Sequence, residues 1–182
     1  IFIITIQWVT IQNNIGNKMK VVFFSESGIV GKVDRKFPNA RNDIAWSIMM
    51  NADWCPYGKT PTEKYDLGVV TIPKTKPNLD VDWFKQYCDK IAIMQEGPHW
   101  YFQDYSVEQQ FQFVENLRKA NWVWCHNKSD VSYYKGLGCK DVRVMRTLML
   151  PEGLNCQLTT SQKKGILLGG NFTSWYSGLD SY

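Results

Sequence analysis

Short, unbroken apolar runs recur along this chain, and no other feature restricts its fold as much. Val21-Val22-Phe23-Phe24 comes first and ends in Ser25-Glu26-Ser27-Gly28. Leu67-Gly68-Val69-Val70-Thr71-Ile72 is closed by Pro73, and Ile91-Ala92-Ile93-Met94 by Gln95-Glu96-Gly97-Pro98. Trp122-Val123-Trp124-Cys125 follows, then Val142 with Val144 and Met145, and last Ile166-Leu167-Leu168. A strand with one wet face alternates apolar and polar residues, whereas a strand covered on both faces reads as a continuous run. The runs therefore predict strands of a parallel sheet.

The segments between them carry helical signals. Ser106 and Gln109 have the spacing of a capping box, and Val107, Phe111, Val114 and Leu117 or Arg118 follow at helical spacing. Over 82–90 the spacing puts Trp83, Phe84, Tyr87 and Cys88 on one face, and 42–51 carries Ile44, Trp46, Ile48 and Met49, with Asn42 or Asp43 available as N-cap. The stretch 130–138 opens polar and ends on glycines, as a helix C-terminus does. Strand and helix in alternation predict a doubly wound α/β domain with a mostly parallel sheet over about 19–150. Such sheets take ligands at the carboxyl ends of their strands.

Outside that span the texture changes. Residues 151–164 are polar and turn-rich and read as a linker, and 165–182 restarts a strand-to-loop pattern without partners. The expectation is a second domain truncated at its first strand. Residues 1–18 are expected to lie upstream of a natural start at Met19. Ile1 to Thr10 is apolar but lacks the basic region and cleavage site of a signal peptide, and no stretch is long enough for a membrane helix.

Composition narrows the function. The net charge of +4 suits a small anionic ligand and is too dispersed for a nucleic-acid face. The five cysteines include no C-x-x-C pair, so neither a disulfide framework nor a zinc site is expected, and a reducing cytoplasm fits. Cys88 and Cys125 read as small core residues. Eight tryptophans are compatible with a sugar or base site and equally with ordinary packing. The sequons at Asn127 and Asn171 carry no weight without a secretory signal.

Three strand-end loops and one segment leading into a helix are candidates for chemistry. In Ser25-Glu26-Ser27-Gly28-Ile29-Val30-Gly31, Gly28 and Gly31 would let backbone N–H groups approach an oxyanion, with Ser27 beside them; a plain turn explains the same residues. In Gln95-Glu96-Gly97-Pro98-His99-Trp100-Tyr101, Glu96 or His99 would serve as general base on an acceptor hydroxyl, and Trp100 and Tyr101 would stack on a sugar; the alternative is a surface loop with a packed Trp. His126 and Asn127 follow the next strand as site-lining or structural residues. Arg41 precedes a helix and would hold an anionic group there, or is an ordinary surface residue. Neither a G-x-G-x-x-G loop nor a P-loop occurs.

In this order the loops resemble those of GT-B glycosyltransferases, in particular the retaining family 4 type. The Gly-containing loop after the first strand, the His-bearing loop after Ile91-Ala92-Ile93-Met94, and Ala120-Asn121-Trp122-Val123-Trp124-Cys125-His126-Asn127 carry the likeness. So does Ile166-Leu167-Leu168-Gly169-Gly170-Asn171-Phe172, which resembles the opening of the second domain. The resemblance implies a Rossmann-like acceptor-side domain and transfer of a sugar from a nucleotide-diphosphate donor to a glycan or other hydroxyl acceptor, with no cofactor or bound metal. It implies that Gly170 and Asn171 contact substrate, and that a second domain packs against this one and brings most of the donor site. A non-catalytic saccharide- or nucleotide-binding α/β module is the competing reading, and sugar-nucleotide epimerase or dehydrogenase a third.

Overall fold

The computed structural model describes residues 19–35, 41–72, 79–95, 105–148 and 150. Seven strands form one sheet: β1 (Val21–Ser25), β2 (Gly31–Lys32), β3 (Asp53–Pro56), β4 (Tyr65–Thr71), β5 (Cys88–Met94), β6 (Trp122–Cys125) and β7 (Val142–Val144). Among the described residues four helices accompany them: α1 (Asn42–Met49), α2 (Val81–Lys85), α3 (Val107–Lys119) and α4 (Asp130–Gly136). The sheet order is β2-β3-β1-β4-β5-β6-β7, with every pairing parallel except β2 against β3.

The apolar runs fill the middle of this sheet. Phe23, Val69, Val70, Ile91 and Ala92 are wholly buried, and the two core clusters lie on opposite faces. Val22, Phe24, Val70 and Ile93 belong to the cluster that includes Phe84 of α2, Phe113 and Leu117 of α3 and Tyr134 of α4. Phe23, Val69, Ala92 and Trp124 belong to the other, with Ile44 of α1. Each large side chain so buried stabilises by about 1.5–3 kcal/mol. Helices therefore cover both faces, α1 on one and α2, α3 and α4 on the other, which is the doubly wound arrangement expected.

The order fixes where a ligand site belongs. From β1 the chain crosses to β3 on one side, then returns past β1 to β4 on the other. The two connections diverge between β1 and β4, so the crevice at that switch point opens at the carboxyl ends of these strands.

Several sequence expectations are corrected. The strands β2 and β3 were not expected. Asp53-Trp54-Cys55-Pro56 offers only two strongly apolar residues and ends in a proline, while β2 has two residues at the sheet edge. The expected helix over 82–90 stops at Lys85, and Cys88 already starts β5. The first helix has Arg41 as its N-cap, not Asn42 or Asp43.

On α3 the capping box forms as expected, with Gln109 N–H donating to Ser106 Oγ and Ser106 N–H to Gln109 Oε1. Its buried face, however, is Phe113, Asn116 and Leu117, while Val107 and Phe111 are each 68% exposed. Asn116 hides this stripe from a hydrophobicity reading. Its carboxamide accepts from Val81 N–H at 3.2 Å and donates to Leu79 O, which makes a buried polar residue tolerable. The proposed upstream segment 1–18, the linker 151–164 and the second-domain start 165–182 lie outside the described residues.

Candidate functional site

At the carboxyl ends of the strands, the face covered by α1 gathers a row of polar side chains. Ser25 ends β1, Thr71 ends β4 and His126 follows β6, and α1 begins above them. Ser25 is fully buried, and its hydroxyl donates to Asp43 Oδ2 at 2.8 Å. Arg41 closes the triad, donating from Nη2 to Asp43 Oδ2 at 2.6 Å and to Ser25 Oγ at 2.8 Å, and from Nε to Asp43 Oδ1 at 3.1 Å. Ile44 N–H also donates to Asp43 Oδ1, at 2.9 Å. Asp43 thus has four donors, which matches the capacity of a carboxylate, and its charge lies in the first turn of a helix.

A second chain of hydrogen bonds runs from β5 to the segment after β7. Gln95 is buried; its Nε2 donates to Asp130 Oδ2 and its Oε1 accepts from His126 N–H, both at 2.9 Å. The Nδ1 of His126 lies 3.0 Å from the Met145 carbonyl, which can only accept, so this nitrogen carries the proton. Its Nε2 is then the acceptor for Asn42 Nδ2 at 3.4 Å. Asn42 Oδ1 accepts from Leu148 N–H at 2.8 Å, which fixes the amide orientation that this tautomer needs. Trp46 Nε1 adds a bond to Arg146 O at 3.1 Å. The backbone from 145 to 148 is thereby held against α1 and His126.

The first loop has a packing logic of its own. Trp54 Nε1 donates to Ser27 O at 2.7 Å, and Gly28 takes φ of +120° directly beside that indole. A Cβ at Gly28 would lie 2.6 Å from Trp54 Nε1. Gly31, with φ of +114°, opens the edge strand β2. Ser27 and Gly28 are exposed at the rim, and Asn127 is exposed past β6. On the opposite face Tyr57 covers the crevice between β1 and β4, with its hydroxyl against the Phe24 and Thr71 carbonyls.

Of the residues expected from sequence to act, Arg41 and His126 join this carboxyl-end row. Ser27, Gly28 and Gly31 lie along the β1–β2 connection, and Asn127 turns the chain into α4. Glu96, His99, Trp100, Tyr101, Gly170 and Asn171 lie outside the described residues. Sequence reading missed Asp43 and Thr71 as members of the row, and Asp130 as the partner of Gln95. Asp43 was visible only as a capping candidate, and its real partner is a serine 18 positions away.

The buried thiols are poor nucleophiles. Burial, and secondarily the charge of Asp130, pushes the Cys125 thiol up, and burial takes Cys139 up to about 11. Among the described residues no group of three or more His, Cys, Asp or Glu is gathered to hold a metal ion, and no helix is long and apolar enough to cross a membrane. An open groove of about 520 Å³, lined by Asp80, Asp82, Glu108, Gln109, Gln112 and Lys119, lies between α2 and α3, away from the row. Lys119 and then Lys85 bind Asp82 and hold its carboxyl below the usual range.

No family model, no curated protein and no solved structure matches this chain.

Proposed function

We propose that residues 19–150 form the acceptor-side domain of a GT-B type glycosyltransferase. It moves a sugar from a nucleotide-diphosphate donor to a hydroxyl acceptor in the cytoplasm. The observation that carries this reading is the polar row at the carboxyl ends of β1, β4 and β6, which includes the β1–β4 switch point of a doubly wound sheet. Ligands of such sheets bind there. Glu96 and His99, which lie outside the described residues, are the candidates from the sequence for the acceptor's general base. Arg41 and the rim residues Ser27 and Gly28 are candidates for contact with the donor. Stabilising the departing diphosphate would be the main electrostatic work.

The test is release of nucleoside diphosphate from UDP-, GDP- and ADP-sugars by the full gene product that carries this chain, with and without a saccharide acceptor. Acceptor-dependent release that His99→Ala and Glu96→Gln reduce supports the reading. Failure to bind or consume any nucleotide sugar overturns it. One observation favours a non-catalytic saccharide- or nucleotide-binding module instead: both ring nitrogens of His126 are spent on internal partners, which suits a scaffold better than a proton shuttle.

A further inference from the structure

Three hydrogen bonds hold the segment after β7 against α1 and the turn after β6. His126 Nδ1–H donates to Met145 O at 3.0 Å, Trp46 Nε1 to Arg146 O at 3.1 Å, and Leu148 N–H to Asn42 Oδ1 at 2.8 Å. The first and the last are linked through side chains. Asn42 gives its oxygen to the Leu148 amide, so its Nδ2 faces the other way, toward His126 Nε2 at 3.4 Å and Met94 Sδ at 3.9 Å. Both of those atoms accept. The carboxamide therefore has one orientation that serves every neighbour, and that orientation needs an electron pair on Nε2.

A proton on Nε2 takes that pair away. Nε2–H and Asn42 Nδ2–H then face each other as two donors. Turning the carboxamide over cures this contact but sets Nδ2 against the Leu148 N–H, a second pair of donors. Swinging the ring out gives up Met145 O instead. Each relief costs the segment one of its bonds. Among the described residues, the charged and titratable groups on the elements around the ring are Arg41 and Asp43 at the start of α1, Cys125 and Lys128 beside it in sequence, Asp130 of α4, Asp141 and Arg143 at β7, and Arg146. Asp43 binds Arg41 and Ser25, Asp130 accepts from Gln95, Asp141 pairs with Arg143, and the Cys125 thiol bonds backbone carbonyls. The ring nitrogens touch a carbonyl and a carboxamide, so a charged ring exchanges the lost bond for no carboxylate contact.

We propose that His126, Asn42 and residues 145–148 form a proton-operated latch. Imidazole is the side chain that gains a proton on going from about pH 8 to about pH 5. The released arrangement accepts that proton and the fastened one refuses it, so release grows as pH falls. What loosens is the segment by which the chain leaves the sheet, while the central strands stay closed. The latch stands whether or not the chain belongs to a transferase.

Amide exchange in the full chain, expressed as protection relative to an unstructured peptide at each pH, tests it. Protection of Leu148 should fall about tenfold between about pH 7.5 and about pH 5.5, as loss of one hydrogen bond gives, with Phe23 of β1 unchanged. In His126→Gln, which has no titrating ring, Leu148 should show no such fall. Asn42→Asp should reverse the sign, because a carboxylate accepts from Leu148 N–H and from a protonated Nε2 together, so acid then tightens the segment. Equal protection of Leu148 at both pH values overturns the latch. So does an undiminished fall in His126→Gln or in Asn42→Asp, and so does a fall that Phe23 shares, which would be acid loosening of the whole domain.

Discussion

At His126 the ring's role follows from what its two nitrogens touch. Nδ1–H donates to Met145 O and Nε2 accepts from Asn42, so the ring bridges β6, α1 and the chain beyond β7. Replacing it by alanine leaves one carbonyl and one amide without their partner. His126→Ala should lower unfolding free energy by about 1–3 kcal/mol, read as a shifted denaturant midpoint; an unchanged midpoint would show that the bridge bears no load. The position of His126 at a strand end was legible in the sequence. Its bonding was not, because the partners lie 19 and 84 residues away. Cys88 gives a pH prediction. Burial moves its thiol from 9.0 to about 12, so the folded chain keeps the proton after the unfolded chain has released it. Its contribution is intact below pH 9 and declines as pH rises from 9 toward 12, by at most about 1.4 kcal/mol per pH unit. Cys88→Ala should flatten stability against pH between 9 and 11, measured by denaturant melts. An identical slope would remove Cys88 as the cause.

Among the elements, α3 shows best why pattern and structure part. Its start was readable because the capping box is local and needs only Ser106 and Gln109. Its buried face was not, because Asn116 spends its carboxamide on the start of α2, a contact no hydrophobic periodicity reveals. The rival stripe of Val107 and Phe111 is real in sequence and faces out. Truncating the two phenylalanines separates them. Phe113→Ala should cost about 3–5 kcal/mol, as loss of a buried aromatic does, whereas Phe111→Ala should stay within about 0.5 kcal/mol. Equal losses would mean that Phe111 is covered by something in solution. The strands β1, β4, β5, β6 and β7 announced themselves as apolar runs. The strand β3 escaped because its only apolar signal is Trp54-Cys55 between an aspartate and a proline, although Trp54, Cys55 and Pro56 are all buried.

Across the whole molecule, sheet order decides both the site and the gradient of stability. The position of the switch point cannot be read from strand and helix alternation alone, since the same alternation permits other orders; it required knowing that β3 exists and pairs with β1. The order also puts β1, β4 and β5 in the middle, with short strands at the edges. All five residues of β1 are buried, whereas Val144 of β7 is 36% exposed. Opening a central strand breaks two ladders and exposes both core clusters, so it approaches the free energy of global unfolding, while an edge strand opens at lower cost. Native-state hydrogen exchange should therefore rank amides of β1, β4 and β5 slowest and those of β2 and β7 fastest. The 145–148 segment should run slower than its place beyond an edge strand would give, because Asn42 binds the Leu148 amide. Asn42→Ala should release that protection while leaving β1 unchanged. If Leu148 exchanges equally fast in both forms, the polar chain does not clamp the segment; if β1 loosens as well, the clamp and the crevice open as one unit.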